Sequence, residues 1–358
     1  MNDETLCCCE YYDSLNERNH ILACCCNCVD LDEAVDSLIR GKSVSEKNKT
    51  GFLNTMQERL RIPWIGGARQ IAFDTILPVF ILPIMLFLAS ISLWWTVFSF
   101  TTVAIFLLLI FNFFIRAIPN TKFFLTWTVT SILLLYFIFE FVVIPFLEIL
   151  VEENIALSAL IFFFIICFYT TKIKANELAQ LGIEATESLV GKSINGFYSC
   201  QICNAKIPDK DHHCVWFDCC ISKYNQFYFI SALFFAVVAL LYSSNLTLTS
   251  VCHPFRFYKA ILLPDDCSDV YYQFELSLSF VSAIYSLILA AILLMLLLQQ
   301  LMLISVGFSL KEWNKLTFLS KLCLGLNKKR PHNRGFIKNW SRILCLNKPQ
   351  YHPLDREV

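Results

Sequence analysis

Between Ser199 and Phe227 the sequence reads SCQICNAKIPDKDHHCVWFDCCISKYNQF, which holds five cysteines and two adjacent histidines in 29 positions. Cys200 and Cys203 form a CxxC knuckle, His213 follows after nine intervening residues and Cys220 after six more. Three thiolates and one imidazole are the ligand set of a closed tetrahedral zinc site, and a site without an open coordination position is structural. The loop is too poor in apolar residues to fold alone, so metal binding would be its folding energy. Ordinary reduced cysteines are the bland alternative; the ligand types and a reducing compartment weigh against it. Cys214 stands beside these ligands and is not needed by them. With His213 held by the metal, His212 is left to act as base on the Cys214 thiol. Asp211 can hold the His212 tautomer and stabilise its cation, completing a nucleophile, base and orienter. A neighbouring imidazolium and zinc favour the reactive thiolate. The chemistry this points to is acyl transfer through a thioester.

The rest of the chain says where that chemistry sits. Of 358 residues 56% are hydrophobic and 33 are phenylalanine, against roughly 45–50% apolar residues in a soluble domain. The chain reads as an all-α polytopic membrane protein of about six transmembrane helices with a small zinc-bound cytosolic cysteine-rich module. No charged residue occurs between Asp74 and Arg116, a length of about 60 Å as helix, or two crossings of a core about 30 Å thick. These two spans are expected to turn between Ser90 and Trp95. Further spans are expected at Phe123–Phe146, Ile155–Thr171, Phe227–Thr247 and Leu276–Ser305. The domains that follow are a cytosolic cysteine-rich segment at 1–70, four helices within 71–171, the metal and catalytic module at 172–226, two helices within 227–305 and a cytosolic tail at 306–358.

Basic residues mark the cytosolic loops of such proteins. Arg59, Arg61 and Arg69 precede the first span, Arg116 and Lys122 separate the second from the third, Lys172 and Lys174 follow the fourth, and Lys311, Lys315, Lys321, Lys328, Lys329 and Arg330 follow the sixth. Glu148, Glu152, Glu153, Asp265, Asp266 and Asp269 fall in the two loops left outside. Both termini are therefore expected in the cytosol, and the polar first seventy residues hold no apolar signal segment. Cys252 and Cys267 share an outer loop, where a disulfide is expected. Zero net charge gives no ground for a nucleic-acid partner. A transporter or channel would not need Asp-His-His-Cys beside a metal site, and only Glu140 is a well-buried charge in the spans. Glu140 has no partner evident in sequence and reads as protonated or hydrogen-bonded between helices. Cys7, Cys8, Cys9, Cys24, Cys25, Cys26 and Cys28, with His20 between them, could bind metal, carry acyl chains or do neither. The sequon at Asn48 is cytosolic, and that at Asn245 lies close to the bilayer, so neither is expected to carry a glycan.

The run DHHCVWFDCCISKYNQFYF resembles the signature of the DHHC-type protein S-acyltransferases (palmitoyltransferases), with Trp216, Cys220, Asn225 and Phe229 at the matching positions. LCCCEYYDSLNERNHILACCCNCVDLDE, ERLRIPWIGGA and HNRGFIKNW are similar to segments of a vertebrate member of that family. The resemblance implies a ping-pong enzyme in which Cys214 takes the acyl group of a long-chain acyl-CoA and passes it to membrane-proximal cysteines of substrate proteins. Asp211 and His212 activate Cys214, and one structural zinc ion is expected. Trp216, Phe229 and Asn339 are assigned by the same resemblance to the acyl-CoA side of the site. The membrane would be an endomembrane or the plasma membrane.

The family has two such zinc sites, and the positions of the first are Thr186, Leu189, Ser199 and Lys206 here, which is no usable ligand set. Its Thr-Thr-x-Glu element matches Ser309-Leu310-Lys311-Glu312, and its C-terminal aromatic and asparagine match His332 and Asn339. Ser222 stands for the usual glycine and Asp218 for the usual asparagine. These departures leave a rival reading, a catalytically weakened relative that acts as a membrane scaffold for partner proteins.

Overall fold

The computed structural model describes residues 10–12, 18–20, 61–63, 65, 67–70, 73–114, 121–147, 149–188, 197–257, 261–316 and 335–344. The N-terminal cysteine clusters, Asn48, Leu189, His332 and the basic run from Lys321 to Arg330 lie outside the described residues, as does the side chain of Thr186. The chain divides into two compact units, residues 1–84 with 101–130, and residues 85–100 with 131–358.

The first unit contains two small antiparallel pairs, β1 (Glu10–Tyr12) with β2 (Arg18–His20), and β3 (Arg61–Ile62) with β4 (Arg69–Gln70). The Arg61 guanidinium lies over the Tyr11 ring, 3.9 Å from its centroid, and Ala68 N donates to Glu10 O at 2.7 Å. Asp74, at the start of the first long helix, accepts from Thr121 Oγ1 at 3.0 Å and from Lys122 N at 2.7 Å. Its carboxylate thus serves a free N–H at the start of the third helix, a favourable place for a negative charge.

Helix α1 (Phe73–Ala89) is apolar but has 17 residues and carries Pro78 and Pro83. It spans about 25 Å at 1.5 Å per residue and is shorter than the five helices that, among the described residues, are long and apolar enough to cross a membrane. Those are α2 (Leu93–Leu109, continued as a π-helix over Ile110–Phe114), α3 (Phe123–Ile138, continued to Leu147), α4 (Val151–Ser188), α5 (Gln226–Val251) and α6 (Phe274–Val306). The turn between α1 and α2 falls at Ser90–Ser92, within the expected stretch, and Ser92 caps α2, its Oγ accepting from Trp95 N at 3.4 Å. Helix α4 runs 17 residues past the expected end at Thr171. The segment KIKANELAQLGIEATES is rich in good helix formers and has no proline, so nothing in the chain stops the helix where it leaves the apolar stretch.

In the second unit α5 packs along α6 through small residues, with Ser244 Oγ donating to Ala283 O at 3.0 Å and Ser277, Ser279, Ser282 and Ser286 of α6 all buried. Small side chains let helices in lipid approach closely, where no hydrophobic force drives them together. Ser131 and Tyr285 share a hydrogen bond of 2.8 Å. Glu140 sits in the π-helical stretch Phe139–Val143 and accepts from Asn154 Nδ2 at 3.3 Å. A partner 14 residues away across a helix turnaround was not evident from the sequence. Cys252 and Cys267 form the expected disulfide, beside an antiparallel pair made by β9 (His253–Phe257) and β10 (Ile261–Asp266). Cys252→Ser is expected to slow migration on a non-reducing gel to the position of the reduced protein; unchanged mobility would show that the bridge does not form.

Candidate active site and metal centre

The cysteine-rich stretch lies in the second unit and folds as two hairpins between α4 and α5. They are β5 (Phe197–Cys200) with β6 (Ala205–Pro208), and β7 (Lys210–Cys214) with β8 (Cys219–Ser222). Each has a four-residue loop ending in a left-handed residue, Asn204 (φ 49°) in the first and Asp218 (φ 47°) in the second, while Asp209 (φ 45°) joins the hairpins. Asn and Asp tolerate that conformation better than other non-glycine residues.

Strand alternation then divides the chemistry. Successive side chains of a strand point to opposite faces, and directly opposed residues share a face. His213 pairs with Cys220 and Cys214 pairs with Cys219. One face of the β7–β8 hairpin therefore carries His213 and Cys220, which meet Cys200 and Cys203 from the first hairpin. The other carries His212, Cys214, Cys219 and Ile221. Burial agrees with the split. Cys200 and Cys220 pack with Leu178, Ala205 and Ile207, whereas Cys214, Cys219 and Ile221 pack with Phe164, Phe217, Phe229, Leu233 and Leu297.

The four predicted ligands do converge. Their ligand atoms lie within 4.8 Å of one another. His213 Nδ1 is 3.4 Å from Cys203 Sγ, 3.7 Å from Cys220 Sγ and 3.8 Å from Cys200 Sγ, and the Cys203 and Cys220 sulfurs are 3.5 Å apart. A zinc tetrahedron with bonds of about 2.3 Å to sulfur and about 2.0 Å to nitrogen has edges of about 3.8 and 3.5 Å, so this donor set fits the ion. Hydrogen bonds from Cys203 and Cys220 lower the Cys200 thiol while those with Cys200 and Cys203 raise Cys220, so without an ion the cluster shares its protons; a bound metal requires all three sulfurs as thiolates. Behind the imidazole, Asp218 Oδ1 lies 4.0 Å from His213 Nε2, placed to orient a ligating ring from the second side.

On the other face, the β7–β8 register slips between Lys210 and His212, leaving Asp211 as a bulge. A bulge re-aims a side chain that alternation would have sent elsewhere. Asp211 Oδ2 accordingly reaches His212 Nδ1 at 2.8 Å, while Oδ1 accepts from Leu310 N at 2.8 Å. That amide is presented by a sharp reversal: Gly307 (φ 75°) ends α6, and Ser309 caps the short helix α7 (Leu310–Asn314) in a capping box with Glu312. The Ser309–Glu312 element is thus intact as a cap and holds Asp211 in place. Burial disfavours the His212 cation, but hydrogen bonds to Asp211 and Cys214 and their charges outweigh it and raise His212 to about 9. Burial, helped by the charge of Cys214, pushes the Cys219 thiol up to about 12. The thiol paired with the imidazole is Cys214.

Phe229 lies edge-on to His212, ring centroids 5.8 Å apart, and also against Phe217 at 5.0 Å. Trp216 packs on the same cluster as Cys214. Asn339, in α8 (Phe336–Leu344), is buried against the end of α6, its amide donating to Ser305 O at 3.4 Å. Sequence reasoning gave no role to Asn225. It is fully buried, accepts from Ser222 N at 2.8 Å and donates to Cys220 O at 3.0 Å and Thr171 O at 3.3 Å, tying β8 to α4 at the base of the site. Its place in the signature run, directly before an apolar helix, was the available signal.

Two contacts stand at the positions that lack ligands for a first metal. Lys210 Nζ donates to Ser199 O at 3.1 Å, and Gly182 of α4 lies so close to β6 that a Cβ there would land on the Lys206 carbonyl. Gly182→Ala is expected to force β6 from the helix at a cost of about 1–3 kcal/mol. Faster zinc loss to a chelator would report it; unchanged zinc retention would show that β6 is held by other contacts.

A family model described as DHHC palmitoyltransferase matches residues 193–317. Palmitoyltransferase ZDHHC23-B of Danio rerio is 29% identical over 404 residues, covering 96% of this chain and 93% of that protein. Palmitoyltransferase ZDHHC23 of Rattus norvegicus is 26% identical over 98% of this chain and 95% of its own length, and that of Homo sapiens 27% identical over 86% and 89%. Residues 193–317 thus match a DHHC palmitoyltransferase domain, an acyltransferase module, folded here with four candidate metal ligands gathered between two hairpins and a free thiol on the opposite face of the second.

Proposed function

We propose that the protein transfers a long-chain acyl group from acyl-CoA to cysteines of substrate proteins through a thioester on Cys214. The observation that carries this reading is the Asp211–His212 contact on the face of β7 that also bears Cys214. The Cys214 thiolate attacks the acyl-CoA carbonyl, the carbon–sulfur bond to CoA breaks, and the CoA thiolate takes the proton held by His212. A substrate cysteine then gives its proton to His212, attacks the thioester and releases Cys214 as thiolate. Asp211, anchored at Leu310, fixes the His212 ring through both steps. The apolar cluster of Phe164, Phe217, Phe229, Leu233 and Leu297 accepts the acyl chain beside the thiol. Cys200, Cys203, His213 and Cys220 would hold a zinc ion, whose binding would supply folding energy and fix the hairpin register.

A cytosolic site with both termini on the same side takes α1 as a sixth, short crossing, and is supported by the basic residues flanking the spans and by the Cys252–Cys267 disulfide, which belongs in an oxidising compartment. Substrate cysteines would then be those close to the cytosolic membrane face. Purified protein given a fatty acyl-CoA should acquire a hydroxylamine-sensitive label that maps to the Cys214 peptide. No label, under conditions in which an active relative is labelled, would favour the scaffold reading that Ser199 and Lys206 raise.

A further inference from the structure

The face of the β7–β8 hairpin turned from the metal carries two thiols, and acyl transfer uses one. Cys214 and Cys219 close the hairpin directly opposite one another. Opposed residues of an antiparallel pair have Cα atoms about 4.5–5.5 Å apart, inside the range of about 4.4–6.8 Å that a disulfide spans. Both are buried free thiols of one cluster. Cys219 is not a spare ligand, because the metal set takes Cys220, which points to the other face. The register cannot slip while His213 and Cys220 are both held by the ion, so the two sulfurs stay opposed.

We propose that Cys214 and Cys219 form a reversible disulfide that takes the enzyme out of action under oxidation and preserves the nucleophile. The inference rests on the reading of Cys214 as the nucleophilic thiol. The oxidant is a hydroperoxide. The Cys214 thiolate attacks one peroxide oxygen, the O–O bond breaks, hydroxide leaves, and sulfur is oxidised by two electrons to the sulfenic acid. The Cys219 sulfur then attacks the Cys214 sulfur, the S–S bond forms as the S–O bond breaks, and the Cys219 proton leaves with the hydroxyl as water. A dithiol reductant reverses the bond by exchange. Without a thiol in reach, a sulfenic acid passes on to the sulfinic acid, which such reductants do not restore.

The full chain in phospholipid nanodiscs, with its zinc content followed, is treated with hydrogen peroxide, blocked with N-ethylmaleimide and digested for mass spectrometry. Parallel samples are given fatty acyl-CoA before and after dithiothreitol. The expected result is a Cys214–Cys219 linked peptide, complete loss of the acyl label with zinc retained, and return of the label after reduction. Cys219→Ser should label normally before treatment, then accumulate sulfinylated Cys214 and stay unlabelled after reduction. Sulfinylated Cys214 without the linked peptide in the unmodified chain would overturn the proposal, and that measurement does not depend on the variant folding. Equal recovery of label in Cys219→Ser would overturn it as well. A linked peptide in protein that never labels would instead sustain this inference while removing the acyl-transfer reading.

Discussion

Cys214→Ser is expected to abolish the hydroxylamine-sensitive label while leaving zinc content and thermal stability close to those of the unmodified chain. The exchange changes one atom in a side chain that is 9% exposed and is not a metal ligand, so the hairpin should keep its register. The rate should nevertheless collapse, because a serine hydroxyl is intrinsically far less acidic and less nucleophilic than a thiol in the same place. Loss of the activated nucleophile in a serine protease costs about a 10⁶-fold drop in rate, and a drop of that order would put any residual signal below detection here. A label that survived on the Cys214→Ser chain at an undiminished rate would locate the nucleophile elsewhere. A label that became resistant to hydroxylamine would show that the serine oxygen had been acylated in its place.

Removing the metal should have an effect as large by a different route. Cys203 is the exposed member of the ligand set, so Cys203→Ser removes a bond to the ion with little loss of packing. Structural zinc contributes about 10–16 kcal/mol of apparent binding free energy in small modules, comparable with the whole stability of an ordinary domain, about 5–15 kcal/mol. The module consists of two two-stranded hairpins, each marginal by itself. Without the ion, His213 and Cys220 lose what holds them, β7 loses its register on β8, and His212 no longer meets Asp211 and Cys214 together. The expected outcome for Cys203→Ser, or for the unmodified chain treated with a strong chelator, is loss of the label and new protease cleavage between residues 197 and 222, with the apolar helices still protected by lipid. Full labelling after zinc has been removed would show that packing alone, including the close approach of Gly182 to Lys206 and the bonds of Asn225, organises the site.

Much of this protein is legible one short segment at a time. The four candidate ligands fall in one stretch, their types and spacing point to a closed zinc site, and in the structure their ligand atoms converge as a group that could hold a metal ion. Long apolar runs led to about six expected spans, because lipid requires the backbone to satisfy its own hydrogen bonds within each segment, and among the described residues five helices are long and apolar enough to cross. The same rule counted α1 as a full crossing, but hydropathy does not set helix length, and α1 has only 17 residues with two prolines. Helix α4 outran its apolar stretch because helix propensity does not end where lipid does.

What the sequence by itself determined is therefore composition-bound: a membrane protein, its metal donors, and the thiol, imidazole and carboxylate beside them. Only the tertiary structure decided which face each of those groups takes. A single bulge at Asp211 turns its carboxylate onto His212, and the second hold on that carboxylate comes from Leu310, 99 positions along the chain. The opposition of Cys214 to Cys219 depends on strand register, and the absence of a side chain at Gly182 matters only because Lys206 is brought against it. Ligand type and hydropathy are properties of neighbours in the chain; facing, register and close approach are properties of neighbours in space, and packing has to bring those together first.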